Sequence, residues 1–112
     1  MYQPFILPYF RRQHEPYAKK YRHLTEAVSF ALVDFHKEQH VHVGHNVYKM
    51  RLRSRDIPRG KSKSFRMLVL VVEVEGYVVP MTLYFKGDTG DITKKEIGRH
   101  LENVLLELQF LS

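Results

Sequence analysis

The chain has 112 residues, 18 Lys plus Arg against 12 Asp plus Glu, seven His and no Cys, for a formal net charge of +6. That length fits a single domain, residues 1–112, and buries enough surface for a core without covalent staples. The missing cysteine excludes a disulfide framework, a thiolate-bound metal and a thiol nucleophile, and 44% hydrophobic with 27% charged residues argues against wholesale disorder.

The opening Met1-Tyr-Gln-Pro-Phe-Ile-Leu-Pro8 lacks a basic lead, and its apolar run is too short for a signal peptide. No stretch approaches the roughly 18–20 apolar residues of a membrane span. The expectation is a cytoplasmic protein with no membrane partner.

Taken in chain order, residues 4–7 predict a short first strand. Phe10, His14, Tyr17 and Tyr21 then recur at helical spacing, with Pro16 expected to kink or split that helix. Leu24, Ala27, Val28, Ala31, Leu32 and Phe35 trace a second amphipathic helix, expected to end near Glu38. The two form a helical hairpin turning near Arg22 and His23. Residues 39–46 read as a His-rich connection, and Val47 to Leu52 as a strand.

A loop around Asp56-Ile-Pro-Arg-Gly60 follows. Ser64 to Val74 is rich in β-branched residues and apolar on both alternating faces, which predicts a central strand. Glu75-Gly76 signals a turn, and Tyr77 to Lys86 runs back as the hairpin partner, with Pro80 marking a bulge or an outward-facing position. After a turn at 87–90, Thr93-Lys-Lys-Glu96 forms a capping box. It opens a helix whose stripe is Ile97, Leu101, Val104, Leu105 and Leu108. Gly98 costs that helix about 1 kcal/mol relative to Ala. The order β-α-α-β-β-β-α predicts an α+β fold: an antiparallel sheet with its helices, a hairpin and a C-terminal helix, segregated to one face.

The charge is unevenly placed. Residues 49–66 hold eight bases and one acid, a net +7, whereas everything else sums to −1. A solvated charge run normally mixes both signs, and this one does not, which favours a polyanion partner. Lys49, Arg51 and, if the strand extends, Arg53 share one strand face. Arg66 begins the neighbouring strand, and Lys86 ends the next, with Tyr84 two residues earlier on the same side. Converging cations bind a phosphate and stabilise the extra charge of its transition state. RNA supplies its own nucleophile, the 2′-hydroxyl. The site then needs a base, for which a lysine crowded by arginines serves, and an acid for the leaving 5′ oxygen. No metal is required, although non-catalytic nucleic-acid binders present similar patches.

His36, His40, His42 and His45 form a second cluster, in which a three-imidazole metal site competes with a plain polar helix end. No carboxylate completes a hydrolytic zinc motif. Arg59-Gly-Lys-Ser62 lacks the upstream glycine of a phosphate-binding loop, so a nucleotide cofactor is not expected. Tyr9, Phe10, Tyr17 and Tyr21 read as core.

Four segments together resemble the RelE-type toxins of bacterial type II toxin–antitoxin systems, especially their HigB-like branch. They are Val47-Tyr-Lys-Met-Arg-Leu52, Arg59-Gly-Lys-Ser-Lys-Ser-Phe-Arg66, Leu83-Tyr-Phe-Lys86 and Asp91-Ile-Thr-Lys-Lys-Glu-Ile97. The family often reads Tyr-Lys-x-Arg-Leu, Gly-Lys-Ser-Gly-Gly-x-Arg, Tyr-x-Lys and Asp-Ile-Ser-x-x-Glu, and the helical hairpin is also similar. Its Gly-Gly is Lys63-Ser64 here.

The resemblance implies an mRNA interferase, an endoribonuclease acting on codons in the ribosomal A site. It leaves 2′,3′-cyclic phosphate ends and is neutralised by a cognate antitoxin. It implies Lys49 as general base, Arg51 as charge stabiliser, Arg66 on the scissile phosphate and Lys86 in support. Tyr84 substitutes for the C-terminal tyrosine of some members as acid. Lys61 and Lys63, with Arg53, Arg55 and Arg59, would hold RNA backbone. A different class stays open: a non-catalytic relative, either a gyrase poison or a nucleic-acid-binding protein.

Overall fold

A computed structural model describes residues 1–53 and 64–111. Its central strand, β4 (Phe65–Val72), is buried along all but its last residue, as an apolar run on both faces requires. β3 (Val47–Leu52) and β5 (Tyr77–Phe85) flank it antiparallel. β2 (Val41–Gly44) pairs with the outer side of β3, and β1 (Gln3–Pro4) with that of β5. The five-stranded order is therefore β1-β5-β4-β3-β2.

The sheet is mixed rather than purely antiparallel, because β1 runs parallel to β5, with Gln3 N–H donating to Gly76 O at 2.7 Å and Phe5 N–H to Val78 O at 3.0 Å. Those bonds cap the start of an otherwise open edge. The strand also lies earlier than the expected 4–7: Leu7 is fully buried, and Pro8 already opens a helix.

The helices cover both faces, not one. Phe65, Met67, Val69 and Val71 share a core with Phe10, Leu24, Val28, Leu32 and Phe35 from the hairpin α1 (Pro8–Lys20) and α2 (Leu24–Val33) and the segment after it. Leu68 and Leu70, on the opposite side of the same strand, pack with Val47, Val79 and Met81 beneath Val104 of the C-terminal helix. Two apolar faces on one strand demand cover on both sides, and the chain end is what remains for the second.

α1 runs unbroken through Pro16, which is exposed, so the Arg12 carbonyl that loses its amide partner can be hydrated. α2 stops at Val33, short of the expected Glu38, because the chain turns to bury Phe35, whose ring stacks on His40 at 5.4 Å. A short 3-10 turn (Lys37–Gln39) then leads into β2 where only a connection was expected. The β2–β3 hairpin turns through Gly44 (φ 119°) and His45 (φ 49°).

Opposite β4, Leu68 pairs with Thr82 and Val69 with Pro80, leaving Met81 as the extra residue of the bulge that Pro80 signalled. A single helical turn, α3 (Lys86–Thr89), closes on Gly90 (φ 72°). The capping box then opens α4 (Lys94–Leu111). Thr93 N–H donates to Glu96 Oε1 at 3.1 Å, and Glu96 N–H to Thr93 Oγ1 at 3.2 Å. Ile97, Leu101, Val104 and Leu108 face the sheet, but Leu105 is half exposed, as is Leu106 beside it. Among the described residues, no helix is long and apolar enough to cross a membrane.

Candidate functional site

The register of three neighbouring strands assembles one polar end on the α4 side of the sheet. Arg51, Arg66 and Tyr84 form one cross-strand row, and Lys49, Leu68 and Thr82 form the next. Because the side-chain period of a strand is two, Lys49 and Arg51 point the same way from β3. The other end of this face, from Val47 through Leu70 to Val79, is apolar and lies under α4. Four of the five residues expected to carry chemistry thus share one surface.

A carboxylate not assigned to the site from sequence joins them. Tyr84 OH donates to Asp91 Oδ1 at 2.8 Å. The Lys49 ammonium donates to both oxygens, at 3.3 Å to Oδ1 and 3.1 Å to Oδ2. Ile92 N–H adds a bond to Oδ1 at 3.0 Å. Asp91 stands two residues before the capping threonine, so the start of α4 sets its position. The available sequence signal was an acid directly after the glycine-flanked turn 87–90, two residues ahead of the capping threonine and downstream of a strongly basic segment.

These contacts set the protonation of the group. The hydrogen bond from Tyr84 holds the Asp91 carboxyl down at about 2, with the bond from Lys49 adding to it. Burial pushes the Tyr84 phenol well above its ordinary value, and the bond to Asp91 pushes the same way. Asp91 is therefore a stable anion and Tyr84 a retained proton donor near neutral pH.

Arg66 is only 6% exposed, and its guanidinium donates to the Ser64 carbonyl at 3.4 Å and to the Ser64 hydroxyl. Burial lowers its pKa, with Arg51 opposite adding to the effect. Arg51 itself is exposed, so an incoming anion meets Arg51 first and Arg66 behind it. Lys49 was expected among arginines alone; its closest ionic partner is instead the Asp91 carboxylate.

Lys86 departs from expectation. β5 ends at Phe85, so Lys86 is the first residue of α3 and does not continue the alternation that would align it with Tyr84. Its backbone N–H donates to Ser64 O at 3.2 Å, which ties the end of β5 to the start of β4. Arg53 is exposed just past β3. Arg55, Arg59, Lys61 and Lys63 lie outside the described residues.

Beside Tyr84 and Asp91 opens a cavity of about 220 Å³, lined also by Gln13, Thr82, Glu96 and His100. Thr82 donates to Gln13 Oε1 at 3.0 Å, fixing that carboxamide at the rim. The histidines of the other cluster take separate side-chain partners, although the His42 ring also contacts the His45 carbonyl. His36 lies 3.5 Å from Asp34, His40 stacks on Phe35, and His42 packs on Tyr48 with ring centroids 5.0 Å apart. Among the described residues, no three His, Cys, Asp or Glu come together as metal ligands.

No protein-family model matches the chain, and no curated protein matches it.

Proposed function

We propose that the protein is an endoribonuclease of RelE type, an mRNA interferase toxin that cleaves message by attack of the 2′-hydroxyl on the adjacent phosphate. The observation that carries this reading is the row Arg51–Arg66–Tyr84 beside Lys49, one amine, two guanidiniums and a phenol brought to one face by the strand register.

Asp91, ionised down to about 2, is too weak a base to take the 2′ proton near neutral pH. Lys49 is the base, the role that the resemblance implies for it. As its nitrogen takes that proton, the 2′ oxygen bonds to phosphorus and the bond to the 5′ oxygen breaks. Tyr84, which keeps its proton, delivers it to the leaving oxygen. The products are a 2′,3′-cyclic phosphate and a 5′-hydroxyl. Arg51 and, behind it, Arg66 stabilise the added negative charge in the transition state.

The substrate in this reading is mRNA, held in the ribosomal A site. The partner that silences the protein is a cognate antitoxin laying an acidic segment over the cationic face. Neither step calls for a metal or a nucleotide. Two features favour a non-catalytic relative instead, a gyrase poison or nucleic-acid binder: Asp91 already pairs the proposed base, and Arg66 is buried. Induced expression separates the two. Growth arrest by the wild type, abolished in Lys49→Ala and Arg66→Ala variants that retain their fold, supports the nuclease. Full toxicity of both variants, with trapped gyrase–DNA complexes, supports the alternative.

A further inference from the structure

β3 and β5 are not neighbours, since β4 lies between them, yet one oxygen bonds side chains from both: Asp91 Oδ1 accepts from Tyr84 at 2.8 Å and from Lys49 at 3.3 Å. Two groups bonded to one atom lie no farther apart than those bonds laid end to end, about 6 Å. An in-line displacement needs its base and its acid on either side of one phosphorus, each within hydrogen-bond reach of an oxygen on it. The carboxylate that bridges Lys49 and Tyr84 is thus an anion within hydrogen-bond reach of both, the position that such a phosphate must also take.

We propose that the Asp91 carboxylate is a built-in occupant of the phosphate position, which a phosphodiester displaces to engage Lys49 and Tyr84. The inference rests on the nuclease reading above and deepens it. Asp91 is placed to yield: its side chain is 51% exposed, and it accepts a backbone bond from the amide of the very next residue. Rotation about its own side-chain bonds releases both partners without disturbing β3 or β5. Its strongly acidic character keeps it ionised through the neutral range, so it leaves by competition rather than by protonation. A monoanion with no neighbouring phosphates gains little by replacing it. A polyanion also gains Arg51, Arg66 and exposed Arg53, so the latch selects for oligonucleotides.

The test measures binding and needs no cleavage. The probe is an RNA oligonucleotide in which every 2′-hydroxyl is replaced by fluorine, titrated at fixed salt into wild type, Asp91→Asn and Glu102→Gln. Glu102 is an exposed residue of α4, so its variant makes the same change in net charge away from the latch. Asp91→Asn is expected to tighten binding about five- to tenfold, and Glu102→Gln less than about twofold. In the wild type, saturation with the probe is expected to move the Tyr84 Cζ resonance, a readout that depends on no variant folding.

Unchanged or weaker binding by Asp91→Asn, equal tightening by Glu102→Gln, or a Tyr84 resonance that ignores the probe overturns the proposal. Failure of the nuclease reading shows separately, as absence of cleavage by the wild type, and leaves this comparison readable.

Discussion

Arg51 and Arg66 are direct partners across the β3–β4 pair, two arginines opposite each other on the same side of the sheet. Like charges in that position are destabilising, typically by a few tenths to 1 kcal/mol. Arg66 is buried and Arg51 exposed, so the cost falls on the one that cannot turn to solvent. A fold has no reason to carry such a pair, whereas an anion bound between them relieves it. Arg51→Thr is expected to raise stability by about 0.5 kcal/mol while weakening RNA binding. Denaturant unfolding and a binding titration on the same sample check both signs.

Acid should weaken the site before the core. The Asp91 carboxyl lies at about 2 in the folded protein against 3.8 ordinarily. Its contribution is fully present above 3.8 and is lost as pH falls from there through about 2. Half-exposure of the side chain keeps the effect small. Glu73 and Glu96 are also lowered, so Asp91→Asn should flatten only part of the fall of melting temperature in that window.

Alkali acts in part through Tyr84, beside the Tyr2 and Tyr9 phenols, which are also raised. Its phenol is raised above the ordinary 10.0, so its share of stability is present below 10.0 and is lost as pH rises toward the folded value. Tyr84→Phe should remove that share of the alkaline slope. The same variant should slow cleavage much more than it weakens binding, because it deletes the proton and little of the charge. Single-turnover rates and affinities measured together check this split.

The start of α4 depends on a reciprocal cap. Thr93→Ala removes the acceptor of Glu96 N–H and should cost about 1 kcal/mol. Because Asp91 is set by the same turn, the variant should also loosen the Lys49 pair. Thermal unfolding reads the first effect, and the Tyr84 Cζ shift reads the second.

Local patterns foretold most of this fold because they act locally. The Thr93–Glu96 box, the Pro80 bulge and the two-faced apolar run of β4 each follow from residues within a few positions. Tertiary competition governed the rest. Val41-His-Val43 alternates like a strand, but among histidines it reads as a loop until β3 offers an edge. The single Phe35 ended α2 early by turning inward. Leu105 fits the helical stripe, yet it is half exposed while Val104 beside it is fully buried. At the site, the cations were legible from the period of two along β3. Asp91 was not, since its role depends on the closure of a turn 42 residues from Lys49.

RNA cleavage by the face around Lys49 is open to direct measurement. The most direct measurement incubates wild type and Lys49→Ala with translating ribosomes and maps the ends of the message. New 5′-hydroxyl ends paired with 2′,3′-cyclic phosphate ends are expected in the wild-type reaction, and their loss with Lys49→Ala. Intact message with the wild type, or the same cleavage with Lys49→Ala, would contradict it.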